Sequence, residues 1–221
     1  MNGGIFFYSL NGDGSLEWLG SAMIWLLIGM SVANIVMISL SVGANRRATL
    51  IAPGAVDGLR GLLSSGRYKD AIERAEAGTD DFSRMLARAL SHAPEGAEAM
   101  LRAAEQCADE LLVARLRGLE RLNVLGQVAP MIGLFGTVYG MIVAFQTIAA
   151  SGGAADPVLL AGGIGTALVT TFWGLLVAIP ATSAYAMVRN GTIAASDEAL
   201  AEVDAALEPF KPRREEAAAQ R

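Results

Sequence analysis

Ala129 to Gly140 reads Ala-Pro-Met-Ile-Gly-Leu-Phe-Gly-Thr-Val-Tyr-Gly, and Gly163 to Pro180 reads Gly-Ile-Gly-Thr-Ala-Leu-Val-Thr-Thr-Phe-Trp-Gly-Leu-Leu-Val-Ala-Ile-Pro. Neither stretch holds a charged residue, and both set threonines among glycines and alanines. They lie inside two long apolar runs, 122–150 and 159–188, and a third run covers 18–42. About 20 residues at a 1.5 Å rise cross the hydrocarbon of a bilayer, so each run suffices for a transmembrane helix. The last two exceed that minimum and have room to tilt or to project beyond the lipid. With 53% hydrophobic residues gathered into runs and a mean hydropathy of +0.42, the composition excludes an ordinary soluble domain. Lipid offers backbone groups no hydrogen-bond partners, so the spans are expected to be helical. The predicted fold is an all-α, polytopic membrane protein with three transmembrane helices.

The net charge of -5 conceals an asymmetry. Arg46 and Arg47 follow the first run, Arg115, Arg117 and Arg121 precede the second, and Arg189, Lys211, Arg213 and Arg214 follow the third. The tail before Trp18 and the loop 151–158 have no Lys or Arg. The bias of Lys and Arg toward the cytoplasm predicts a periplasmic N-terminal tail (1–17), a cytoplasmic helical region (43–121), a periplasmic loop (151–158) and a cytoplasmic C-terminal helix and tail (189–221). The N-terminus lacks the basic start of a secretory signal, and Asp13 and Glu17 precede a run too long for one. Asn11 to Gly14 is turn chemistry, Ile5 to Tyr8 is an aromatic anchor for the interface, and Glu215 to Arg221 reads as a solvated tail.

Between the first two runs the composition changes abruptly. Pro53 and Gly54 break the chain, and Leu59, Leu62, Leu63, Tyr68, Ile72 and Ala75 recur at helical spacing on either side of 64–66. Gly78 to Asp81 predicts a stop followed by an N-cap, with Phe82, Met85, Leu86 and Leu90 as the next apolar stripe. These are short amphipathic cytoplasmic helices. No breaker separates Gly96 from the second run, so the second transmembrane helix should begin well inside the cytoplasm, with Gly118, Gly126 and Pro130 as places for a bend. The third should continue through Ala195 to Leu207 until Pro209 and Pro212 end it. His92 and Cys107 have no partners that would make a metal site, and the single cysteine excludes an internal disulfide. Asn34 is the strongest polar group of the first span and is expected to hydrogen-bond to a neighbouring helix.

In the second helix Gly126, Ala129 or Pro130, Gly133, Gly136 or Thr137, Gly140 and Ala144 follow three-and-four spacing and form one face of small residues, with Thr137 on it. In the third, Ala167, Thr171, Gly174, Ala178 and Thr182 do the same, with Thr166 and Thr170 beside them. Small faces mostly mean close packing, and membrane threonines mostly bond back to their own helix. Placing Thr on both small faces adds a second reading, an ion path lined by hydroxyls. The spans contain no Asp, Glu, Lys, Arg or His. Hydroxyls pass protons through ordered water but store no charge, so protonation-driven transport here needs a carboxylate from another protein.

The stretches Gly133 to Gly140 and Ala167 to Pro180, in this three-span layout, resemble the MotA/TolQ/ExbB proton channel family, and the compact chain is similar to its TolQ/ExbB-like branch. The resemblance implies a homo-oligomeric ring, a pentamer, around single-span ExbD/TolR-like helices whose membrane Asp carries the proton. It implies that Thr137 and Thr171, with Thr166 and Thr170 near them, line the ion path, while Gly133, Gly136, Gly140, Gly174 and Ala178 pack the helices. It also implies a bacterial inner-membrane location and no enzymatic activity. Many relatives carry a Glu where this chain has Thr166, which leaves proton against Na⁺ open. The expected function is a motor subunit that couples ion flow to motion of the partner; the rival is a non-transporting membrane scaffold. No nucleophile, metal cluster or phosphate loop suggests an enzyme, no cofactor is expected, and the partners are the lipid bilayer and protein rather than nucleic acid.

Overall fold

The structure, a computed structural model, describes residues 7–10, 16–153 and 156–211. The turn read at Asn11 to Gly14 and the tail from Glu215 fall outside the described residues, as do Ile5 and Phe6 of the aromatic anchor. Among the described residues seven α-helices follow in order: α1 Trp18–Ala44, α2 Arg47–Leu50, α3 Ala55–Ser64, α4 Tyr68–Ala77, α5 Asp81–Ser91, α6 Ala97–Ala150 and α7 Pro157–Ala206. A two-residue antiparallel pairing of Ser9–Leu10 with Leu16–Glu17 precedes α1. The fold is all-α. Helices α1, α6 and α7 are each long and apolar enough to cross a membrane. At 1.5 Å per residue the 54-residue α6 is about 80 Å long, far more than lipid alone accounts for. The chain divides into two compact units, one of Met1–Leu40 with Leu119–Ala186 and one of Ser41–Gly118 with Met187–Arg221.

In the first unit small residues make the contact between α6 and α7, while many large residues face outward. Ala129, Ala144, Ala167, Ala178 and Ala181 are buried, whereas Met131, Leu134, Phe135, Leu168, Phe172 and Ile179 are exposed. So many exposed large apolar residues suit a hydrocarbon solvent, where helices associate through close backbone approach at small residues. A β-carbon at Gly140 would stand 2.6 Å from the Gly163 carbonyl oxygen, and one at Gly174 2.8 Å from the Ala129 carbonyl oxygen. Only glycine permits α6 and α7 to lie this close.

Helix α1 joins this pair through polar contacts. Glu17 is buried and caps the start of α1, accepting the Gly20 N–H at 2.6 Å and the Leu19 N–H at 3.2 Å. The Tyr139 hydroxyl of α6 donates to the same carboxylate at 2.5 Å. Asn34, 2% exposed, donates from Nδ2 to the Val177 carbonyl of α7 at 2.9 Å. Pro180 has no N–H, so the neighbouring Leu176 carbonyl lacks its usual donor within the helix, and the Asn34 amide arrives at this weakened turn.

The second unit is a small helical domain with its own core. Leu50, Leu59, Leu63, Phe82, Met85, Leu86 and Met100 pack against Ala199 and Val203 of α7. Gly66, at φ 74°, separates α3 from α4 in the left-handed conformation that favours glycine. Asp80 caps α5, accepting the Ser83 N–H at 3.1 Å and the Ser83 hydroxyl at 2.8 Å. Arg115 of α6 clasps Asp81 through Nε at 2.6 Å and Nη2 at 2.9 Å, and donates to the carbonyls of Ala44 at 2.7 Å and Thr49 at 3.1 Å. Glu198 and Glu202 of α7 pair with Arg47 and Arg60, the latter at 2.7 Å.

Cys107 is buried, and burial pushes its thiol above the usual cysteine range. The neutral thiol is therefore favoured in the folded protein, and alkylation at pH 8 is expected to be slow until denaturant is added, as followed by intact mass. A raised value in the folded state leaves stability unaffected at neutral pH and lowers it only as pH climbs through the thiol's titration.

Candidate ion-conduction site

The site is built where α6 and α7 touch. Close approach at Gly133, beside Thr170, Thr171 and Gly174, brings hydroxyls and carbonyls into one cluster. Thr137 Oγ1 and Thr171 Oγ1 are hydrogen-bonded to each other. Thr137 also reaches the Gly133 and Ala167 carbonyls, each at 3.2 Å, and Thr171 reaches the Gly133 carbonyl at 3.2 Å. Each hydroxyl carries one proton, so it uses one of these acceptors at a time. The result is a tight group of neutral oxygens with movable protons and no fixed charge.

The four threonines are not equivalent. Thr137 and Thr171 are half-buried and retain an open side. Thr170 is fully buried, with its hydroxyl 3.0 Å from the Ala167 carbonyl and 3.1 Å from the Thr166 carbonyl. Thr166 is buried and donates back to the Gly162 carbonyl at 3.1 Å. Gly136 abuts the Thr170 side chain, leaving no room for a side chain of its own. Ala178 is buried with Leu27, Ala129 and Val177. Among the described residues no group of His, Cys, Asp and Glu could hold a metal ion.

Sequence reasoning missed one participant of this unit. Glu17 is a buried carboxylate bonded to Tyr139, which lies two residues beyond Thr137 and so on the far side of α6 from it. A carboxylate immediately before a span is a detectable signal for a cap; its partner 122 positions away carries no local signal.

A closely packed pair of helices with threonines in their apolar runs, and a third apolar helix pinned to it, defines a polytopic α-helical membrane protein. The model of the MotA/TolQ/ExbB proton channel family matches residues 75–198, more than half of the chain. The chain belongs to that family, in its ExbB-like branch. It is 46% identical over 66 residues to the biopolymer transport protein exbB1 of Vibrio cholerae, covering 30% of this chain and 29% of that protein. It is 36% identical over 143 residues to the biopolymer transport protein ExbB of Neisseria gonorrhoeae, covering 56% and 62%. With the ExbB of Xanthomonas campestris it shares 29% identity over 212 residues, covering 84% and 79%. The chain thus spans less than two thirds of the Vibrio and Neisseria proteins. Family membership and the three apolar helices make it a multi-pass inner-membrane protein.

Proposed function

We propose that this chain is the ring-forming subunit of an inner-membrane motor that uses ion flow to move a single-span ExbD/TolR-like partner, energising biopolymer transport or work at the outer membrane. The carrying observation is the Thr137–Thr171 hydroxyl pair, set over the Gly133 and Ala167 carbonyls in two apolar runs, 122–150 and 159–188, that hold no Asp, Glu, Lys, Arg or His. Such a cluster stabilises a passing cation, or relays a proton through water, without trapping it. The acid that stores the proton comes from the partner, as an Asp in its membrane helix. The ring is a homopentamer, the N-terminus is periplasmic and the C-terminus cytoplasmic. Thr137 and Thr171 line the path directly, with Thr166 and Thr170 behind them. With Thr166 in place of a carboxylate, the neutral oxygens suit Na⁺ as well as a hydrated proton. Each charge that crosses releases about 2.3 kcal/mol per 100 mV.

The test is reconstitution into liposomes with the single-span partner. Thr137→Val and Thr171→Val keep the shape of the side chain and remove the hydroxyl; each is expected to abolish ion flux while the ring assembles normally. Unchanged flux in both variants removes these residues from the path. A wild-type complex that assembles with its partner but passes no ions would favour the membrane scaffold instead.

A further inference from the structure

Helix α6 carries a second polar feature, hydrogen-bonded along its own length. Gln127 donates from Nε2 to Asn123 Oδ1 at 2.9 Å, and Asn123 donates from Nδ2 to Glu120 Oε1 at 2.9 Å. The spacing of three and four puts the side chains on one stripe, and Glu120 and Gln127 are exposed. The ladder is thus satisfied by its own helix, and its two ends are exposed while Asn123 is half-buried. Gln127 also lies inside the apolar run 122–150, where an amide turned toward hydrocarbon is costly. A polar face so placed, near the cytoplasmic start of the run, suits water or headgroups rather than hydrocarbon.

Resting on the proposed ion-motor reading, we infer that the Glu120–Asn123–Gln127 ladder lines a water-filled continuation of the cation path, between the threonine cluster and the cytoplasm. Thr137 is ten residues beyond Gln127, about 15 Å farther along α6 and a quarter turn round it. The ladder is polarised, with amide N–H groups directed toward the carboxylate and acceptor oxygens left for a hydrated cation. Glu120 is the only carboxylate between Glu110 and Asp156. Its charge offsets Arg117 and Arg121, which flank it and would otherwise make this mouth repel cations. The chain therefore supplies a carboxylate of its own just outside the apolar run, on an exposed position of α6.

The experiment uses the full complex with its partner in liposomes, in a Cys107→Ala background, and a membrane-impermeant cationic methanethiosulfonate applied from the cytoplasmic side. Gln127→Cys is expected to react and to lose flux on reaction, whereas Ile35→Cys, on the exposed apolar face of α1, is expected not to react. Gln127→Leu should cut flux about tenfold, and Gln127→Asn should restore much of it. Native mass measurement establishes that each variant forms the ring. A thiol at position 127 that stays unmodified, or that reacts without changing flux, overturns the inference, as does full flux in Gln127→Leu. Slow reaction together with loss of the ring in Gln127→Leu also overturns it, marking a seam between copies. If Thr137→Val and Thr171→Val abolish flux in the same preparation while Gln127→Leu does not, only the ladder assignment fails. If the threonine variants conduct normally, the underlying reading fails first.

Discussion

Replacing Arg115 with alanine is expected to lower the stability of the second unit by about 3–5 kcal/mol, the cost of leaving a buried charge without its partner. The Asp81 carboxylate is only 5% exposed in its side chain and Arg115 18%, so water does little to screen the pair. Both carboxylate oxygens are engaged by the guanidinium, at 2.6 and 2.9 Å. The same group donates to the carbonyls of Ala44 and Thr49. One side chain thereby holds the end of α1, helix α2 and the start of α5 on α6. Arg115→Lys should recover only part of the loss, because an ammonium has no planar fork to serve these acceptors together. Asp81→Asn in the Arg115→Ala background should also recover part, since the orphaned charge is gone. Thermal unfolding of the detergent-solubilised protein with this double-mutant cycle is the measurement, and a loss under about 1 kcal/mol for Arg115→Ala would place the pair among ordinary surface ion pairs.

Gly140→Ala and Gly174→Ala are expected to separate α6 from α7. The added β-carbon meets backbone carbonyl oxygens, at 2.6 and 2.8 Å, and a backbone cannot rotate away as a side chain end can. Overpacking of this kind costs about 1–3 kcal/mol. It should also part Thr137 from Thr171, so flux ought to fall even where the ring survives. Gly29 is the control. A β-carbon there meets nothing within 4 Å, and Gly29→Ala in α1 should be neutral or slightly stabilising. Equal melting temperatures for Gly140→Ala and Gly29→Ala would mean that the two backbones are farther apart than described.

The spans could be read from the sequence because each is a local property: an apolar run long enough to cross lipid, with no charged residue inside it. The same is true of the unbroken extension of α6, the Asp80 cap and the split between α3 and α4 near Gly66. The small faces of α6 and α7 followed from spacing alone, since helical periodicity fixes which residues share a side. Pairings across long separations were not legible. Arg115 read only as a topology signal, and nothing near it in sequence pointed to Asp81, 34 positions earlier. Asn34 was a plain candidate for an interhelical hydrogen bond, but its acceptor, the Val177 carbonyl beside a proline, lies 143 positions away. The burial of Glu17 depends on Tyr139 in the same way.

Those two contacts of α1 have a mechanical consequence. A bare apolar helix in lipid spins about its long axis almost freely, because hydrocarbon grips every side alike. Here Glu17 and Asn34, about 25 Å apart along the helix, each hold a hydrogen bond that hydrocarbon cannot replace, one to α6 and the other to α7. Twisting α1 on its own would have to break both. Within the first unit a twist of α1 is therefore resisted by α6 and α7 together.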